Sequence, residues 1–326
     1  MTNGDGSVTP RKRPQRHTGS ETMGVFDVPD RQPREPGKKA RSLRDYQLRE
    51  VGPFAMVHIL GIAGVFMGAS WKVWALCIAL YVVRMFAITG FYHRYFSHRT
   101  FKTSRWFQFV MAFVAQSAAQ RGVLWWAAHH RDHHKHSDTE LDLHSPRQHG
   151  FWYSHMGWIY DRNDVTKYAR IKDFARYPEL VMLDKYWLAP PIMLGIACYL
   201  WGGLPGVLVG FMFSTVLLWH GTFTINSLSH VWGERPYDTS DDSRNNWFLA
   251  IITMGEGWHN NHHHYMNSTR QGFHWWQYDI TYYVLKVMSW VGLVWDLKEP
   301  PAHIVAGVQR RRATKPDEAE ELRPAA

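Results

Sequence analysis

An all-α integral membrane fold, with four transmembrane helices in two hairpins under a cytosolic helical cap, is predicted by three observations. Val51 to Ser70 carries no Asp, Glu, Lys or Arg. Val73 to Tyr92 is apolar apart from Arg84. Trp187 to Phe223 has no ionised side chain and is divided by Gly202-Gly203-Leu204-Pro205-Gly206. About 20 helical residues cover the ~30 Å hydrocarbon core of a bilayer. The mean hydropathy of −0.35 resembles that of a soluble chain because polar segments between the apolar runs dominate the average, so the local windows decide.

In order, residues 1–42 mix Arg, Lys, Pro, Gly and Asp without apolar periodicity and are expected to be a disordered basic tail. Residues 43–301 form the predicted membrane domain. Its spans lie near 51–70, 73–92, 187–203 and 204–223, and its cap comprises 93–186 and 224–301. Residues 302–326 read as a polar C-terminal tail. Lys72 and the Gly-Pro turn make both connections between spans short, so the tail, the central segment and the C-terminal region share one face. The basic tail makes that face cytoplasmic. Phe107 to Trp126 is apolar but broken by Gln108, Gln116, Gln120 and Arg121, which predicts a helix lying in the interface or against the bundle. Tyr282 to Trp295 reads the same way.

Composition narrows the function. Much of the basic excess behind the net charge of +9 lies in the first 50 residues, before the first span, as a topology signal would, and it does not call for nucleic acid. Cys77 and Cys198 sit inside apolar runs and make neither a disulfide framework nor a CxxC metal site. No apolar stretch in the first 50 residues resembles a cleavable signal. The 20 histidines are the feature that demands an account.

Three clusters hold half of them: His93-Arg-Tyr-Phe-Ser-His98, His129-His130-Arg-Asp-His133-His134 and His259-Asn-Asn-His262-His263-His264, with a smaller group at Asn226-Ser-Leu-Ser-His230. Spacings of three and four residues put imidazoles on one helical face, about 5–6 Å apart at Cβ, close enough to converge on one metal or a pair. The clusters follow the second span, occupy the central segment and follow the fourth span, so all reach one membrane surface. His58, His149, His155, His220 and His274 are isolated and read as packed or solvated side chains. There is no HExxH, and a catalytic zinc needs only about three protein ligands; the supply here suits two redox ions acting with oxygen on an apolar substrate.

His93-x4-His98, His130-x2-His133-His134 and His259-x2-His262-His263, in the contexts Ser97-His98-Arg99-Thr100, Trp125-Trp126-Ala127-Ala128-His129-His130 and Gly255-Glu256-Gly257-Trp258-His259, resemble the histidine boxes of membrane fatty-acid desaturases. The stearoyl-CoA Δ9 group and its bacterial relatives match best, from about Val51 to Pro301. The resemblance implies a four-helix bundle with a cytosolic cap holding a histidine-ligated di-metal centre. Its implied metal ligands are His93, His98, His130, His133, His134, His230, His259, His262 and His263, with Asn226 acting through water. His129 and His264 do not match motif positions and read as neighbours. Asp132, Asp138, Asp142 and Glu256 are candidate acceptors for ring N–H groups. Arg162, after Gly157-Trp158, aligns with a basic substrate-headgroup contact.

The implied activity is O2-dependent desaturation of a long saturated acyl chain, most simply acyl-CoA at Δ9, giving a cis monoene. The implied cofactors are two iron ions, which zinc can replace in a purified sample, with O2 as co-substrate. The absence of a ferredoxin-type cysteine cluster calls for a separate electron donor, of ferredoxin or cytochrome type with its reductase. Membrane lipids are the remaining partners, and the bacterial-type resemblance implies an inner membrane with both termini cytoplasmic. Where acyl-CoA members carry an Arg-Asp pair before the second box, this chain has Ala128-His129, which opens the alternative of an acyl-lipid substrate. A histidine-box hydroxylase and a membrane metal-binding or transport protein are the other readings; a transporter is expected to place its ligands at membrane depth rather than at span ends.

Overall fold

The structure, a computed structural model, describes residues 47–161 and 165–307. The predicted basic tail, Arg162 and most of the predicted C-terminal tail lie outside them. The first helix, α1 (Leu48–Val65), is followed after a short turn by α2 (Trp71–Phe86), which runs on unbroken into a π-helical segment, Ala87–Ser97. The second predicted span therefore continues past its expected end at Tyr92. The strand β1 (Lys102–Thr103) precedes α3 (Arg105–Gln116) and α4 (Val123–His136). Short helices α5 (Pro146–His149), α6 (Phe151–His155), α7 (Lys172–Ala175) and α8 (Pro178–Lys185) lead to α9 (Ala189–Pro205). A second π-helical segment, Gly206–Phe213, enters α10 (Ser214–Asn226). The chain ends with α11 (Trp247–Ile252), α12 (His259–His264), α13 (Ile280–Trp290), β2 (Val294–Trp295) and α14 (Ala302–Val305).

By length and composition, Trp71–Ser97 and Ala189–His230 are long and apolar enough to cross a membrane, and Glu50–Val65 is a shorter apolar helix. The long segment is not one rod. Gly203 has φ 60° and ψ −151°, a backbone that glycine adopts without a Cβ clash, and the two arms on either side pack against each other. Segment Gly206–Phe213 is the centre of the bundle, contacting α1, α2 and α9. Glycines make the α1 contact close: a Cβ at Gly61 would lie 2.9 Å from Phe213 N, and one at Gly64 2.6 Å from Leu208 Cβ.

Polar side chains inside the bundle find partners across helices, as an apolar surround requires. Arg84 donates to Thr215 Oγ1 (2.7 Å), Ser214 Oγ (2.6 Å) and Ser117 O (3.4 Å), tying α2 to α10 and to the C-terminal end of α3. His58, His220 and His155 form a row: His58 Nε2 lies 3.1 Å from His220 Nε2, His220 Nδ1 2.9 Å from His155 Nε2, and His155 Nδ1 2.9 Å from Ser227 Oγ. Each was expected singly; together they join α1, α10 and α6.

Two sequence expectations are corrected. The helix expected over Phe107 to Trp126 is two helices, interrupted where Ala119 (φ 55°) and Arg121 (φ 69°) adopt left-handed backbone. The reason is a capping site supplied from elsewhere. Gly122, the N-cap of α4, has no side chain to offer, and Asp184 of α8 accepts from Leu124 N (2.8 Å) and Trp125 N (2.9 Å) instead. The helix expected over Tyr282 to Trp295 stops at Trp290, and Val294 and Trp295 pair antiparallel with Thr103 and Lys102. The fold is mostly helical with one two-stranded ribbon.

Asp184 thus fixes the start of the helix that carries the four histidines of the second cluster. Replacing Asp184 by Ala is expected to cost about 1–2 kcal/mol, with Asp184→Asn recovering part of that loss because its amide oxygen still accepts. Thermal unfolding in detergent and amide exchange at Leu124 and Trp125 check this; an unchanged midpoint with protected amides would contradict it.

Candidate metal centre

The π-helical turn decides where the first pair of histidines points. In an α-helix, residues five apart face different directions, whereas i→i+5 bonding returns them to nearly the same face. His98 N donates to His93 O (3.2 Å) in that pattern, and the two rings lie 4.9 Å apart. On α4, His130 and His134 project to one side and His133 to the other; on α12, His262 separates from His259 and His263 in the same way. The outcome is two adjacent groups. His93, His98, His130, His134 and His262 form one, and His133, His230, His259 and His263 the other, with ligand atoms within 4.8 Å of one another in each.

All nine expected histidines are therefore brought together. His129 instead bonds Trp125 O through Nδ1 (2.8 Å) and His264 stacks on Tyr237 (4.1 Å, 12°), both outside the two groups. Asn226, at the end of α10, stands in the wall of the cavity beside them.

The nitrogen spacing suits a cation. His262 Nε2 is 3.0 Å from His93 Nε2 and 2.9 Å from His134 Nε2, and His98 Nε2 is 2.9 Å from His130 Nε2. Two nitrogens about 2.1 Å from one ion and at a right angle across it are about 3.0 Å apart. One nitrogen facing two others at that distance is poorly served by hydrogen bonding alone, since it carries a single lone pair or a single hydrogen. In the second group, the His263 Nδ1–H donates to Asp241 Oδ2 (2.6 Å), leaving a buried Nε2 with no partner. An inward lone pair with nothing to accept fits a metal ligand.

Carboxylates set the orientation of four rings. Nδ1–H of His93 donates to Glu256 (2.5 Å), of His133 to Asp142 (3.0 Å), of His230 to Asp138 (2.9 Å) and of His263 to Asp241 (2.6 Å). Each bond assigns the hydrogen to Nδ1 and turns the Nε2 lone pair inward. Glu256 is held by Arg94, which also binds Asp279 (2.8 Å). Burial alone would raise the pKa of Asp138, Asp142, Asp241 and Glu256, but the paired histidines outweigh it and hold all four below the usual carboxylate range.

Of the acids expected to orient rings, Asp138, Asp142 and Glu256 stand against clustered histidines, whereas Asp132 does not. It faces outward to Lys167 and to Arg170 (2.8 Å), because it follows Arg131 on the outer side of α4. Asp241 had no sequence signal: among the acids of Asp238-Thr-Ser-Asp241-Asp242 it looks like one more solvated loop charge. Nor did His144, which packs on His133 (4.4 Å), has its buried Nδ1 3.9 Å from Asp142 Oδ1, and forms with those two residues a third, smaller group of potential ligand atoms.

Below the histidines runs a cavity of about 640 Å³, whose wall includes His93, His130, His259, Glu256 and Asn226 at one end. The remainder is mostly apolar, with Met85 of α2, Ile88 of its π-helical continuation, Trp126 of α4, Ile196 of α9 and Phe211 of the central segment. Its size and composition suit a long apolar ligand brought against the clusters.

A model of the family described as "Fatty acid desaturase" matches residues 69–293. The chain is 38% identical to the "Acyl-CoA C20 Delta5-desaturase" of Anemone leveillei, covering 74% of this chain and 81% of that one. It is 36% identical to the "Palmitoyl-monogalactosyldiacylglycerol delta-7 desaturase, chloroplastic" of Arabidopsis thaliana, over 79% and 71%. It is 37% identical to the "sn-2 palmitoyl-lipid 9-desaturase" of Nostoc sp. (strain 36), over 76% and 89%.

Two outcomes are expected of this site. Asp241→Ala should weaken metal retention by the second group about 10–100-fold while sparing the first; metal per chain, measured by mass spectrometry after gel filtration, should fall by about half, and unchanged content would contradict the role. Burial, reinforced by neighbouring imidazoles, depresses the pKa of His98, His130, His134, His259 and His262 well below 6.5. The folded state keeps these rings neutral while an unfolded chain takes up protons below about 6.5, so metal-free protein should lose stability as pH falls from 7 towards 5. Unfolding midpoints of chelator-treated protein read this directly, and a flat profile would count against it.

Proposed function

This chain belongs to the fatty acid desaturase family and is an oxidoreductase of that kind; within it, we propose that the chain inserts a cis double bond into a long saturated fatty acyl chain, at Δ9, using two iron ions. The observation that carries this reading is the apolar cavity ending at both histidine groups. The balance is one –CH2–CH2– unit, O2, two electrons and two protons giving –CH=CH– and two water molecules. Both electrons come from a separate donor of ferredoxin or cytochrome type.

Nine histidines and, through water, Asn226 would hold the irons. Iron bound there supplies the redox chemistry with O2 that unactivated C–H bonds require. The chain's own contribution is placement. Glu256, Asp138, Asp142 and Asp241 keep four imidazoles in the inward-facing tautomer. Trp126 stacks on His130 (5.0 Å, 14°) and, with Met85 and Ile88, lines an apolar approach that excludes water and restricts where a methylene pair rests. α1, α2, α9 and the Gly206–Asn226 arm are proposed to cross the membrane, with both termini on the cytoplasmic side of a bacterial inner membrane.

Fatty-acid profiling of a desaturase-deficient host, comparing wild type with His263→Ala and mapping the double bond, tests the reading. New cis monoenes from wild type alone are expected, with the bond at Δ9. Hydroxylated chains would replace desaturation by hydroxylation at the same centre, and unchanged lipids with iron-loaded protein and a working donor would overturn it.

A further inference from the structure

Family membership leaves the acyl carrier open, since the named relatives include an acyl-CoA and a palmitoyl-lipid desaturase. The side of the cavity speaks to it. α1 and α9 both lie against Gly206–Phe213, and residues of both helices line the cavity. Its walls here are Met56 and Val57 of α1 and Ile192 and Ile196 of α9, over a floor of Phe211 and Met212. Met56 is 50% exposed and Ile192 and Ile196 are each 55% exposed, so the cavity opens here on the outer face of the bundle. If these helices cross the bilayer, that face meets lipid tails. From Leu188 to Tyr199, both in the cavity wall, α9 rises about 16 Å, close to the ~15 Å depth of one leaflet's hydrocarbon.

The end nearest the cap is more restricted. Arg121 Nη2 lies 3.3 Å from Glu50 Oε2, and its guanidinium sits 5.8 Å from the Trp125 ring and 5.3 Å from the Trp187 ring. All four residues line the cavity. The pair bridges the start of α1 to the turn before α4. Arg121 has φ 69°, a costly backbone for a non-glycine residue, so the bridge sits on a turn held in one shape. Among the described lining residues the acidic and basic side chains are Glu50, Arg121 and Glu256. The Arg121 guanidinium, steadied by Glu50, can bond the ester and phosphate of a lipid lying at the interface, where Trp187 also suits the polar boundary.

We infer that the substrate is the acyl chain of a membrane glycerolipid, entering sideways between α1 and α9 while its headgroup stays at the interface beside Arg121, Glu50 and Trp187. The inference rests on the desaturase reading above and adds the carrier and the route. The redox balance is unchanged, and the ester bond is neither formed nor broken.

The test compares carriers and then blocks the route. Iron-loaded enzyme, with ferredoxin, its reductase and NADPH, is placed in nanodiscs of distearoyl phosphatidylglycerol, or in nanodiscs of branched-chain ether lipid supplied with stearoyl-CoA. Monoenes esterified to the phospholipid are expected in the first and at least tenfold fewer in the second. Ile196→Trp and, from the facing wall, Met56→Trp should each lower phospholipid desaturation at least tenfold with iron content retained. Leu200→Trp, on the same helix at a position 79% exposed, should not. Efficient desaturation of stearoyl-CoA with phospholipid chains left saturated, or full activity on phospholipid in both blocked variants, would overturn the inference while leaving the desaturase reading standing. Iron-loaded wild type inactive on both carriers would remove both.

Discussion

The structure depends on one constraint: nine imidazoles are packed within a few ångströms of each other in two adjacent groups, where charging most of them is costly. Water would solve this easily and the interior cannot. The depressed pKa values of six of these rings express the cost of charging them there, whereas the carboxylates around His133 raise its pKa, and the four ring-to-carboxylate bonds express how orientation is enforced. The carboxylates are themselves expensive to bury. Asp138 therefore also accepts from Ser145 Oγ (2.5 Å) and Asp242 N (2.8 Å), and Asp142 from Asp138 N (2.8 Å) and His144 N (3.3 Å). The cap around the site is largely the set of loops needed to deliver these acceptors.

Helix geometry then divides the histidines. α4 and α12 lie between the two groups and each gives histidines to both, so displacement of either helix disturbs both groups at once. That makes the ends of these helices sensitive positions, which is why the start of α4 is capped from α8 and why Asn245 braces α12 through Asn260 N (3.0 Å), Asn261 N (3.1 Å) and the Asn261 side chain (2.6 Å). The first pair, His93 and His98, sits instead on the continuation of a long apolar helix, and its π-helical turn converts a five-residue spacing into a shared face.

How much of this was legible in the sequence follows from the range of the interactions. The apolar runs and the histidine spacings are local, and the runs became helices and the spacings converging rings. Asp138, Asp142 and Glu256 sit close in sequence to clustered histidines and were found for that reason; so was Asp132, which the turn of α4 points to Lys167 and Arg170 instead. Asp241, 22 residues from His263, depends on a loop returning to the site, and nothing local marks it. The split between α3 and α4 was hidden for the same reason, since Asp184 lies 60 residues from the Leu124 amide it caps. The row His58, His220 and His155 comes from three separate segments, each carrying a single, unremarkable histidine.

The position of the site at the helix ends, rather than within the bundle, ties these features to chemistry. Ligands at membrane depth would suit passage of an ion from side to side. Here the two groups lie at the end of α2's π-helical continuation, on α4, after α10 and on α12, with an apolar cavity leading away from them along α1, α9 and the central segment. A metal ion has no use for such a wall, whereas a hydrocarbon chain does: it gains by leaving water for the cavity and can be held there against the clusters. The polar groups of the bundle reinforce this separation. Arg84 is turned to hydroxyls and a helix-end carbonyl, and the row of histidines is satisfied within itself and by Ser227, so neither spends its hydrogen bonds on the apolar path.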